Sequence, residues 1–271
     1  MKLVLKMYKK YVFLSIAFML FLIPSNAQEF KVVKTYEVQQ AKQGVAVDGD
    51  YFYVVNNSNI VKYTRKASNQ VKQWKDTSGA IKHLNSGIII NGKLYCTNSN
   101  YPESPMASSI EIFDPETLMH IDNVSLGIYI GSATWLDFYN GYWYVAFAHY
   151  TGRGSSEGKT NSWTQLVKFT KDWQRIEGWV FPKILIGKFG TRSNSGGFIT
   201  KEGTIYATGH DDKELYKLKF PKIGHTLIWK NTYSIPYEGQ GIALDASTEK
   251  SLTLFGIIKK DNKVIQTILK K

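Results

Sequence analysis

Five copies of one strand pattern, the lack of a helical period and one spare strand near the N-terminus predict an all-β chain: a five-bladed β-propeller with four-stranded blades. After residue 28, short β-branched and aromatic runs recur between Gly, Asn and Asp turns, and no stretch reads as a convincing amphipathic helix. The recurring unit is a small-residue start, an apolar strand, a Gly or Asn turn and an aromatic-rich strand. Its copies are "QGVAVDGDYFYVVNN" (43–57), "SGIIINGKLYCTNSN" (86–100), "SATWLDFYNGYWYVAFAHY" (132–150), "SGGFITKEGTIYATGHD" (195–211) and "QGIALDASTEKSLTLFG" (240–256). They start 43, 46, 63 and 45 residues apart, which is about one propeller blade each.

Each copy continues into a third strand that opens on a polar residue: "NIVKYT", "SIEIFD", "QLVKFT", "ELYKLK" and "KVIQTIL". Fourth strands follow as "QVKQWK", "HIDNVSL", "RIEGWVF" and "TLIWKNTY", but the fifth copy has none before Lys271. The strand "FKVVKTYEV" (30–38) has no partner of its own. Placed as the outer strand of the fifth blade, it gives every strand a position and closes the ring. Radial stacking buries both faces of the inner strands, which explains why "YFYVV" and "YWYVAF" are apolar without alternation. A β-sandwich would require strict in–out alternation and leaves the spare strand without a role.

The first 27 residues read as a signal peptide: Lys2, Lys6, Lys9 and Lys10, then an apolar run from Tyr11 to Ile23, then Ser25, Asn26 and Ala27 at the cleavage positions. The run is shorter than the roughly 20 residues a spanning helix needs. Residues 28–271 are therefore expected as one propeller domain, secreted or periplasmic, with no membrane association after signal removal. Lys and Arg number 34 against 22 Asp and Glu, or 30 against 22 without the four leader lysines. Nearly all of this is lysine spread singly along strands, the mark of a solvated surface. No basic cluster interleaved with aromatics appears, which argues against a nucleic-acid partner. Cys96 is the only cysteine and sits in the strand "KLYCTN", so a buried inert thiol is expected and the core alone must hold the fold.

The strings "GVAVDGDYFYVVNNSNIVKY" and "GQGIALD" resemble the repeats of bacterial propellers of the NHL and gluconolactonase kinds. The stretches "NGYWYVAFAHY" and "SNSGGFITKEGTIYATGHDDKELYKLKFP" look like a group of exported five-bladed bacterial propellers. The first likeness covers single blades and the second about a third of the chain. Both imply the fold, and the second brings no established activity.

In a propeller the loops from strand four to strand one and from strand two to strand three open on one face, where the inner strands start. The longest loops, 97–108, 149–163 and 187–197, fall on that face, and so does the turn with His210, Asp211 and Asp212. His83 and His149 map there too, whereas His120 and His225 map to outer strands or turns. The inner strands start at Gln43, Ser86, Ser132, Ser195 and Gln240, all neutral. A five-bladed glycosidase needs carboxylates at such positions, and a gluconolactonase-like calcium site needs an acid there, whereas Glu238 comes two residues early. A metal held by His149, His210 and Asp211 or Asp212 is chemically sensible but lacks a short ligand spacing, so no metal and no cofactor are expected. Asp211 and Asp212 also suit an Asx-type turn. Trp135 and Trp163 suit either sugar stacking or a wedge between blades, and the rare Arg153 and Arg192 suit either an anion clamp or a surface ion pair.

The leading expectation is a binding module for one small polar ligand, a saccharide or an organic acid, at the channel mouth. The ligand set is Gln43, Ser86, Ser132, Ser195, Gln240, His83, His149, Tyr150, Trp163, Arg192, His210 and Asp211. The alternatives are a hydrolase or lyase using His149 and His210 for proton transfer with Arg192 as anion stabiliser, and a scaffold for a protein partner.

Overall fold

The computed structural model describes residues 29–156, 158–248 and 251–270, so the expected signal peptide lies outside the described residues. Strand β1 (Lys31–Glu37) leads into the first blade, β2 (Gly44–Asp48), β3 (Tyr51–Asn56), β4 (Asn59–Thr64) and β5 (Gln70–Lys75). The second blade holds β6 (His83–Ile90), β7 (Lys93–Ser99), β8 (Ala107–Phe113) and β9 (His120–Ile128). The third holds β10 (Ser132–Tyr139), β11 (Tyr142–Ala148), β12 (Gln165–Phe169) and β13 (Arg175–Val180). The fourth holds β14 (Gly196–Ile199), β15 (Ile205–Thr208), β16 (Glu214–Lys219) and β17 (Ile228–Ser234). The fifth has β18 (Ala243–Leu244), β19 (Ser251–Ile258) and β20 (Lys263–Lys270), and its sheet order is β1-β20-β19-β18.

The ring closes as the spare strand requires. Strand β1 pairs antiparallel with β20, Tyr36 opposite Val264 and Glu37 opposite Lys263. Tyr36 is buried, its hydroxyl donates to Gln266 Oε1 at 2.9 Å, and its ring meets Phe52 of the first blade and Phe255 of the fifth at 4.8 and 6.0 Å. One side chain thereby ties the last strand to the first blade.

Apolar side chains of neighbouring sheets interlock between the blades. Trp135 on β10 is fully buried against the fourth blade: a Cβ on Gly197 would stand 2.5 Å from its ring, and its Nε1 donates to Asn194 Oδ1 at 2.6 Å. This places Trp135 between blades rather than on a ligand. Cys96 is buried and free, and burial pushes its thiol up. The expectation of no helix fails at one place, α1 (Lys183–Lys188), between the third and fourth blades. Its six residues are too few to show a period, and only Leu185 is buried, in the cluster around Trp135. Among the described residues no helix is long and apolar enough to cross a membrane.

The inner strands of three blades touch at the axis. A Cβ on Gly44 would stand 2.5 Å from the Asn85 carbonyl oxygen and 3.2 Å from Gly241 Cα, and one on Gly241 would stand 2.9 Å from Ser86 Cβ. The second and fifth blades are not neighbours in the ring, so their contact beside Gly44 is the axis itself. The backbones of these three blades fill their side of the centre.

Candidate functional site

The start face has Gly44, Gly241 and Ser86 as its floor, and every blade sends polar side chains toward it. In the first blade Gln43 Nε2 donates to Asn57 Oδ1 at 3.1 Å, and the Gln43 carbonyl accepts from Gly241 N at 2.9 Å. His83 Nδ1 lies 2.9 Å from the same Asn57 Oδ1. The His83 ring packs on Tyr101 at 5.1 Å, and Tyr101 packs on Tyr150 at 4.9 Å, an aromatic chain from the second blade to the third. Tyr150 is buried and hydrogen-bonds Ser132, whose hydroxyl meets Ser99 Oγ at 2.8 Å. Burial raises the Tyr150 phenol far above its ordinary value, so it stays a neutral hydroxyl. Ser86 and Ser195 are buried in the frame, their backbone N–H groups donating to Thr97 Oγ1 and the Thr208 carbonyl at 3.2 Å each.

The other half of the face is charged. His210 Nδ1 contacts Asp211 Oδ1 at 2.5 Å, and Gln240 Nε2 donates to the His210 carbonyl at 3.2 Å. Lys42 Nζ donates to the Lys259 carbonyl at 2.9 Å in the β19–β20 turn. Lys259 is lowered from the ordinary lysine value by burial and by repulsion from Lys42 and Arg192, against the opposing pull of Asp211 and Glu238. Burial and then Lys259 lower His83 to about 4. Burial lowers His210 too, with Arg192 and Lys259 adding to it and Asp211 opposing. These couplings require the three cations and the two imidazoles to be near one another.

Several groups here have no partner. The half-buried Arg192 guanidinium makes no hydrogen bond or ion pair with the described residues. Glu238 Oε2 and Asn85 Oδ1 are buried acceptors without a donor among the described residues, Glu238 ahead of the fifth blade's inner strand and Asn85 within β6. Two buried acceptors without a donor are costly to keep unless something else meets them.

Of the residues expected on this face, His149 and Trp163 stand apart. His149 is buried, but its Nε2 lies 3.1 Å from the Ile130 carbonyl and 3.0 Å from where a Cβ of Gly131 would be. Its imidazole is lowered by burial, with the Ile130 contact opposing, beside Lys159 rather than Arg192. Trp163 is 51% exposed on a short 3-10 turn with Lys159 Nζ 5.5 Å over its ring. Arg153 and Asp212 are exposed. Among the described residues no three His, Cys, Asp or Glu side chains gather as a metal set. Sequence reasoning passed over Lys42, Lys259, Tyr101 and Ser99, and it mentioned Glu238 only to set it aside.

No family model matches the chain, and no curated protein does. Among solved structures, glutaminyl cyclase of Myxococcus xanthus is similar with a TM-score of 0.59 at 10% identity, over 89% of this chain and 97% of that one. A luciferin-regenerating enzyme is similar with a TM-score of 0.52 at 13% identity, over 87% of this chain and 80% of that one. At such identities the likeness is one of fold, and with five four-stranded antiparallel sheets in a closed ring this chain is a five-bladed β-propeller.

Proposed function

We propose that the chain is an exported binding module that holds one small hydroxy acid, such as a sugar acid, on the start face. The observation that carries this reading is the unpaired Arg192 guanidinium, grouped with Lys259, Lys42 and the unpaired acceptor of Glu238, while Asn85, whose Oδ1 is also unpaired, lies against Gly44. A carboxylate meets the guanidinium in bidentate fashion, and hydroxyl donors satisfy the acceptors. Half-buried Tyr101 and His83, backed by Tyr150, give the apolar side of a sugar-like body a surface to pack on. Export rests on the charge and apolar pattern of residues 2–27.

The second reading is an enzyme at the same face. His83 and His210 are held neutral near pH 7, so each offers a free base, and His210 is oriented by Asp211. The two fold neighbours are named as enzymes. A thermal-shift panel of gluconate, glucuronate, succinate and glucose separates the readings. Binding without turnover supports the module, with the hydroxy acids shifting the melting temperature more than succinate or glucose. Conversion of a bound hydroxy acid, detected by mass spectrometry and lost in His210→Gln, supports the enzyme. No shift with any acid overturns both.

A further inference from the structure

On the opposite face the inner strands turn into their hairpins around a cavity of about 930 Å3, a volume typical of small-molecule sites. Ser86 and Gly87 line its axial end. Half-buried Val47, Ile88, Ile90, Phe138 and Leu244 wall the axial part. The cavity continues outward into the seam between the fourth and fifth blades, past Phe198, Tyr206, Tyr233, Leu252 and Leu269.

The acids that line it are mostly engaged. Asp245 pairs with Arg65 at 2.7 Å and accepts from Ser247. Asp137 accepts the backbone N–H groups of Phe138 and Ile199 at 2.7 and 2.6 Å. Glu202 is also engaged, while Asp48 and Lys201 stand exposed at the rim. Lys217 differs: it is half-buried in the aromatic seam, and its ammonium has no hydrogen bond or ion pair with the described residues.

We infer that this cavity binds an amphiphilic monocarboxylate, its apolar body in the axial chamber and its carboxylate on Lys217 Nζ. A neutral guest of the same shape leaves a half-buried ammonium unpaired. An amine adds a second cation, and the buried acids that line the chamber, Asp137 and Asp245, are already engaged, which leaves it only the exposed Asp48 at the rim. The body gains by covering the apolar walls, roughly in proportion to the area removed from water. This site opens on the face opposite Arg192 and is read through a different residue, so the two readings stand or fall independently.

The test uses the full chain and the neutral fluorescent probe N-phenyl-1-naphthylamine, displaced by decanoate, decanol or decylamine. One saturable probe site is expected, with decanoate displacing at about tenfold lower concentration than decanol, the worth of a charge-assisted hydrogen bond. Lys217→Gln should remove that preference and leave the decanol curve in place, while Arg192→Ala should change neither. The wild-type decanoate-to-decanol ratio reads the claim even if Lys217→Gln fails to fold. Absence of a saturable probe site, a ratio near one, stronger displacement by decylamine, or a preference that survives Lys217→Gln overturns it.

Discussion

Gly241 and Gly44 meet at the axis with no room for a methyl group: a Cβ on Gly241 would stand 2.8 Å from Gly44 Cα. Neither has a positive φ, so the demand for glycine is one of space alone.

Gly241→Ala should therefore cost about 1–3 kcal/mol through overpacking and lower the thermal midpoint. Gly187→Ala is the control, since a Cβ there meets nothing within 4 Å, and it should leave stability level or raise it by up to about 1 kcal/mol through helix propensity. Equal midpoints for Gly241→Ala and wild type would mean that the axis is looser than described.

Deleting residues 29–38 removes β1 and leaves β20 as a bare edge, with Phe255 and Phe52 stripped of Tyr36. The shortened chain should melt early or aggregate, since an unpaired apolar edge is an aggregation site. Light scattering during a thermal ramp checks this. A cooperative transition at the wild-type temperature would show that the ring does not need the strand.

The ring was legible in the sequence because blade repeats leave a count, and "FKVVKTYEV" was the strand left over. Much of the start face was legible for the same reason: Gln43, Ser132, Gln240 and His210 occupy fixed places in the repeat. Lys42 and Lys259 were not, because a lysine that faces a site and one that faces solvent look alike until the blades are curled together. His149 shows a further limit, since its loop goes to the expected face while its imidazole turns to the Ile130 carbonyl. The cavity on the opposite face left no trace, as Ile88, Phe138 and Leu244 read as ordinary strand interior.

Acid should weaken the fold in a way that identifies its groups. An unfolded imidazole takes up its proton near pH 6.5, whereas folded His83 does so only near 4, and His149 and His210 are lowered as well. Between these values the unfolded chain holds more protons, so stability falls as pH drops from 6.5 toward 4.5. That window lies above the range where the lowered carboxyls of Asp76, Asp114 and Glu214 titrate.

Asp137 works against this trend. Burial raises its carboxyl to about 6, so the folded chain holds that proton while the unfolded chain has lost it, and its contribution grows as pH falls through 6. Urea unfolding at pH 7, 6 and 5 should give a shallower fall for His83→Gln and a steeper one for Asp137→Asn. The opposite order would contradict the assignment of these groups.

The central claim is that Arg192 anchors a hydroxy acid on the start face. Isothermal titration of the full chain with gluconate at pH 7 and low salt tests it most directly, comparing wild type with Arg192→Ala. The expected result is one site per chain in wild type and no measurable heat in the variant, whose unfolding free energy stays within about 0.5 kcal/mol, as for a surface change. Equal binding by both proteins, or no binding by wild type, would contradict it.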